Sequence, residues 1–142
     1  MPEMPRTMTW HLPVADVESA PYWDATAEGK LLIKHCTACD RAFFYPRAHC
    51  PRCWSMETEW REASGDGTVY TFTVIQQNDL PPFRDRLPYV VAIVELAEGV
   101  RMTTNIEGCA PEDVRCGMPV KVAFREEPHD DGSVHLPVFR PA

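Results

Sequence analysis

The 142-residue chain contains no apolar run near the roughly 20 residues that a membrane-spanning helix requires. Its opening stretch, MPEMPRTMTWHLPVADV, has neither an apolar core nor a small-residue cleavage site. No signal peptide is expected, and the protein reads as cytoplasmic. Catalytic signatures are missing as well: there is no HExxH, no GxSxG and no phosphate-cradling glycine loop. A basic surplus is also lacking. Residues 1–56 hold six Lys/Arg against six Asp/Glu, and residues 57–142 hold eight against fifteen, which supplies the whole formal charge of −7. Nucleic-acid binders need cations to replace counterions on phosphates, and the C-terminal part has no such footprint.

Proline is what the chain has in excess. Its 14 prolines are about twice ordinary usage. They are scattered between apolar runs, which favours short strands and turns over long helices or a disordered tail. The length suits one ordinary domain or two small modules that share contacts.

Four of the six cysteines form two Cys-x-x-Cys pairs within CTACDRAFFYPRAHCPRC, residues 36–53. A two-residue spacer lets both thiolates of a knuckle face one ion, and two knuckles complete a tetrahedral four-sulfur shell. In a reducing compartment this pattern is a metal site rather than a pair of disulfides. Cys36, Cys39, Cys50 and Cys53 are therefore the expected ligands of one zinc or iron ion. Four sulfurs close the coordination sphere, whereas a catalytic zinc keeps a position for water, so the site reads as structural. His35 and His49 flank the pairs as hydrogen-bonding or surface residues. The segment CPRCW resembles one rubredoxin knuckle, although rubredoxin has a much longer insert between its pairs. Lys30, Lys34, Arg41, Arg47 and Arg52 lie close in sequence and soften the charge of four thiolates on a divalent ion. A module this small folds on its metal.

Before the pairs, Pro21 follows Ser19 at a suitable helix start, and Tyr22, Trp23, Ala27 and Leu31 recur near helical spacing, with Gly29 as the stop. Trp23 is either core packing or the anchor of a helix that docks a partner. A short strand, 31–33, enters the first knuckle. After the pairs the period becomes two. Strands are predicted over 68–76, 89–96, 100–106, 119–125 and 133–139, with a helical turn at 111–114. Val100, Met102, Thr104 and Ile106 share one face. So do Val120, Val122 and Phe124, and then Val134, Leu136 and Val138. Three strands, a helical turn and two strands is the order of a five-stranded OB barrel, although an SH3-like barrel or small sandwich has similar composition. The expected fold is mainly β: an N-terminal segment with a helix (1–34), a four-cysteine zinc ribbon (35–56) and an OB-fold domain (57–142).

Two loops of that barrel, 76–88 and 126–132, are expected to frame a binding face. The first carries Phe83, Arg84 and Arg86, which suit a phosphate, a nucleotide or a protein partner, or else a solvated connector. The second, EEPHDDG, reads as a solvated acidic turn. Cys109 precedes acids that oppose a nucleophilic role, and Cys116 reads as a buried or strand-edge residue.

The order of YWDATAEGKLLIKHCTACDRAFFYPRAHCPRC, SGDGTVYTFTV, PYVVAIVELAEGVRMTTNI, DVRCGMPVKVAF and LPVFRPA covers nearly all of the chain. In this it resembles the zinc-ribbon plus OB-fold acyl-CoA-associated proteins, once known only as a domain of unknown function. The resemblance implies a structural zinc and a non-catalytic companion of a thiolase-superfamily enzyme or a MaoC-type hydratase. It implies work in lipid, polyketide or steroid metabolism, within a hetero-oligomer, with acyl-CoA as a ligand. No nucleic acid and no membrane are expected as partners. The rival readings are a single-strand nucleic-acid binder and a stand-alone acyl-CoA enzyme, in which Cys109 or His135 would matter.

Overall fold

The computed structural model describes residues 12–129 and 132–142. Helix α1 spans Ala20–Ala27, with Ser19 at its N-cap and a proline in its first turn. Proline there removes an N–H that no carbonyl of the helix would have used. The chain leaves the helix through Gly29 at φ 76°, where the N–H groups of Gly29 and Lys30 close back on the carbonyls of Thr26 and Ala25.

Strand β1 (Leu32–Cys36) pairs antiparallel with β2 (Arg41–Phe43) on one side and with β3 (Thr58–Glu62) on the other. The three form a small sheet in the order β2-β1-β3. The sequence pattern did not announce β3. Its residues, TEWRE, offer only Trp60 as a packing side chain, and pairing with β1 supplies the order that alternation does not.

Five further strands close a barrel: β4 (Asp66–Ile75), β5 (Tyr89–Leu96), β6 (Arg101–Ile106), β7 (Pro119–His129) and β8 (Gly132–Pro141). Their order round the barrel is β4-β5-β6-β8-β7. Strand β4 pairs with β7 at its start and with β5 along its length, and a register shift between Val69 and Thr71 interrupts the β5 ladder. Such a bulge bends a strand and sharpens its twist, which helps one long strand serve two neighbours. A parallel contact, Ile106 opposite Phe139, joins β6 to β8. The Glu107 N–H donates to the Phe139 carbonyl at 2.9 Å, and Thr104 Oγ1 donates to the Pro137 carbonyl at 3.0 Å.

The interior follows from alternation. Val90, Ala92, Val94 and Leu96 are buried while their neighbours are half-exposed, and Met102, Thr104 and Ile106 repeat the pattern. Strand β8 departs from expectation. The expected face ends in Val138, which is buried, but the opposite face supplies the fully buried Phe139 to the barrel core. The Val138 side meets Tyr22, Trp23 and Phe44 around a groove beside α1, so β8 is covered on both faces. A second correction concerns 126–132, expected as a loop. Strands β7 and β8 run on as a hairpin to the pair His129–Gly132. Cys116 is a third: it lies exposed in a turn.

The N-terminal part is not an independent body. Tyr22, Leu31, Ile33 and Ala63 belong to the same buried cluster as the barrel valines, while Cys36, Phe43 and Cys50 form a separate small cluster. The ribbon thus contributes one face to the barrel core and keeps the other for its sulfurs.

Candidate functional site

The four paired cysteines converge. Cys36 comes from the end of β1, Cys39 from the turn after it, and Cys50 and Cys53 from the turn before β3. Their sulfur atoms all lie within 4.8 Å of one another, with Cys36–Cys53 at 3.6 Å and Cys39–Cys50 at 3.7 Å. Those separations are far too long for disulfides. They match the S···S edge of about 3.8 Å that Zn–S bonds of 2.3 Å give in a tetrahedron. The backbone N–H groups of Cys53 and Arg52 hold the Cys50 thiol down to about 6, whereas removal from water and the neighbouring thiols push Cys39 up to about 12. Four thiolates this close coexist only with a cation between them. The donor set fits one structural zinc, held by Cys36, Cys39, Cys50 and Cys53.

Each knuckle ends in a residue with left-handed backbone: Asp40 at φ 56° and Trp54 at φ 64°. Asp40 uses the position to bring its carboxylate 2.9 Å from His35 Nε2. His35 is buried in the middle strand of the small sheet, between Ala42 of β2 and Glu59 of β3, and makes that contact from there. Lys34, expected to temper the thiolate charge, lies buried with Nζ 3.2 Å from Thr58 Oγ1 and 4.6 Å from the Trp60 ring centroid.

At one end of the barrel a cavity of about 390 Å³ opens between the 3₁₀ turn Phe83–Arg86, the 3₁₀ turn Pro111–Asp113 and the ends of β5, β6 and β7. Phe83 and Tyr89 stand side by side, ring centroids 6.0 Å apart, with Val90 and Ile106 beneath. A hydrogen bond of 3.0 Å from Asn78 Nδ2 to Tyr89 Oη holds the loop over the strand.

Charged groups form one wall. Arg86 donates Nη1 and Nη2 to the two oxygens of Glu127 at 2.8 and 3.0 Å. Arg125 donates Nε to the same carboxylate at 2.8 Å and Nη1 to Glu107. The Glu127 side chain is only 5% exposed. This corrects the reading of Glu127 as a solvated acid, whereas its neighbour Glu126 is exposed as expected. A buried carboxylate needs paired cations, and two guanidinium groups satisfy it. Nothing in the local pattern marks Glu127: alternation from Val120, Val122 and Phe124 points to Glu126 instead. Nor did the sequence single out Glu107, Arg125 or Tyr89.

The structure brings Phe83 and Arg86 to this cavity and leaves Arg84 exposed in the same turn, outside its lining. Trp23 lies at the other site, half-buried against Tyr22 at a ring separation of 4.9 Å. Its Nε1 is buried with no hydrogen-bond partner among the described residues. Cys109 lines the barrel-end cavity, but no histidine is among the residues that do.

Comparison with known proteins now adds to this geometry. Residues 23–59 match the family model described as ChsH2, rubredoxin-like zinc ribbon domain, and residues 60–125 match ChsH2, C-terminal OB-fold domain. A DUF35 domain-containing scaffold protein of Methanocaldococcus jannaschii is 43% identical over 108 residues, 73% of this chain and 75% of the relative. The chain belongs to the ChsH2/DUF35 family of zinc-ribbon OB-fold proteins. A probable enoyl-CoA hydratase alpha subunit of Thermomonospora curvata is 39% identical over 92% of this chain. The chain spans 39% of that protein's length. Among solved structures, an Ltp2-ChsH2(DUF35) aldolase superposes with a TM-score of 0.78 at 38% identity, over 92% of this chain and 98% of the other. No helix among the described residues is long and apolar enough to cross a membrane.

Proposed function

We propose that this chain is a non-catalytic companion subunit. It docks on a thiolase-superfamily or hydratase enzyme and helps position that enzyme's acyl-CoA substrate, in a cytoplasmic hetero-oligomer. The observation that carries the reading is the likeness, over nearly its whole length, to a chain of the Ltp2-ChsH2(DUF35) aldolase structure. The hydratase alpha subunit and the scaffold protein among its relatives point the same way.

The site chemistry agrees. The metal centre is closed by four sulfurs, so it supplies no open coordination position. At the cavity, Cys109 has no histidine among its co-lining residues to serve as base. The partner supplies nucleophile and acid/base groups, and this chain supplies placement. Orientation of reactants is worth several kcal/mol of barrier, so a subunit without catalytic groups is essential when it provides it. Trp23 on α1 and the exposed Arg84 are the side chains assigned to partner contact, and Phe83 with Arg86 to the cavity. Trp54, 77% exposed on the second knuckle, offers a further anchor.

The nucleic-acid alternative draws no support from the cavity. Arg86 and Arg125 are both held by carboxylates. The test is to purify the tagged chain gently from its native cells and identify what accompanies it by mass spectrometry. A stoichiometric thiolase-like or hydratase subunit is expected. A chain that elutes alone, and that binds oligonucleotides with steep salt dependence, would contradict the proposal.

A further inference from the structure

The companion reading leaves open which part of an acyl-CoA this chain handles, and the barrel-end cavity supplies an answer that rests on that reading. Acyl-CoA has a highly charged nucleotide end and an uncharged arm with two amides, a pair of geminal methyl groups and a thioester. A pocket for the nucleotide end needs surplus positive charge. This wall carries none: Arg86 and Arg125 are balanced by Glu127 and Glu107, and the bonds among them form one chain. A phosphate on Arg86 would have to displace Glu127, whose carboxylate is out of water and would lose a partner.

The remaining surface suits the uncharged arm. Phe83, Tyr89, Val90 and Ile106 offer apolar area for methyl and methylene groups. The bonds of Arg125 use Nε and Nη1, which leaves Nη2 to donate to an amide carbonyl. Glu107 is half-exposed at the same wall and accepts from an amide N–H. One donor and one acceptor beside an apolar floor are what a secondary amide on a hydrocarbon chain needs. The volume of about 390 Å³ falls in the range of small-ligand sites. We propose that this cavity holds the pantetheine arm of the thioester substrate and leaves its phosphates outside.

The test is a titration of the ¹⁵N-labelled full chain with S-methylpantetheine, which has no thiol to compete for zinc. The amides of Val90, Asn105, Ile106 and Glu107 are expected to shift, and raised salt is expected to leave the affinity unchanged. The nucleotide half alone, 3′,5′-ADP, should move none of these amides and should not compete. Cys109→Trp, which fills the cavity from a loop, should weaken binding by at least about tenfold while the amides of β1, β2 and β3 stay in place. Silence of the cavity amides towards S-methylpantetheine would overturn the inference, as would displacement by 3′,5′-ADP or wild-type affinity in Cys109→Trp. If the chain still co-purifies with its enzyme in that event, only the pantetheine assignment falls, and the companion reading stands.

Discussion

Arg86 and Glu127 form a two-point ion pair, with N···O distances of 2.8 and 3.0 Å, between residues 41 apart in sequence. The pair ties the β4–β5 connection to the far end of the β7–β8 hairpin. The two segments that frame the end of the barrel are thereby held to each other.

Removing Glu127 leaves two guanidinium groups without their shared carboxylate. Glu127→Ala should cost about 2–3 kcal/mol, read as a lower urea midpoint at unchanged slope. Arg86→Ala should cost less, about 1–2 kcal/mol, because its side chain is 36% exposed and Arg125 still neutralises the carboxylate. Equal stability of Glu127→Ala and wild type would show that the pair holds nothing together.

That ion pair marks where sequence reading stops. Spacing alone located the four sulfurs, because a Cys-x-x-Cys turn is a local device. Alternation located β5 and β6, because Val90, Ala92, Val94 and Leu96 face one core. Gly29 announced the end of α1 through its backbone. Glu127 and β3 were not legible, since each depends on a remote partner: Arg86 for the carboxylate, β1 for the strand. Acid-rich stretches read as solvent-exposed until their counter-charges are placed in space. Phe139 was not singled out for a related reason: the alternation Val134, Leu136, Val138 marks one face of β8, but α1 covers that outer face and the opposite face supplies Phe139 to the barrel core.

The zinc prediction is direct. Metal analysis of the purified chain should give close to one zinc per chain, at Cys36, Cys39, Cys50 and Cys53. Protons compete with the ion for thiolate ligands, so zinc should be released as the pH falls and retained as it rises. Chelation should loosen β1, β2 and β3 first, seen as faster amide exchange there than in β5. A quadruple Cys→Ser protein that folds fully and stays soluble would refute the structural role.

Two residues with left-handed backbone should respond in opposite directions. Gly29 has φ 76° and open space around its Cα, so Gly29→Ala pays only backbone strain and should destabilise by about 1 kcal/mol. Trp54 has φ 64° with a largely exposed indole. Trp54→Gly relieves about 1–2 kcal/mol of strain against about 0.5–1 kcal/mol of glycine entropy, and should be neutral or slightly stabilising. Thermal unfolding of the two zinc-loaded variants checks both signs. Marked destabilisation by Trp54→Gly would mean that the indole packs more than its exposure indicates.

Acyl-CoA turnover measured for the chain alone, for its co-purifying enzyme alone and for the two together tests the account most directly. The account predicts no turnover by the chain, weak or absent turnover by the enzyme, and at least about tenfold more by the mixture, a barrier difference of about 1.4 kcal/mol. Robust turnover by the pure chain without any partner would contradict it.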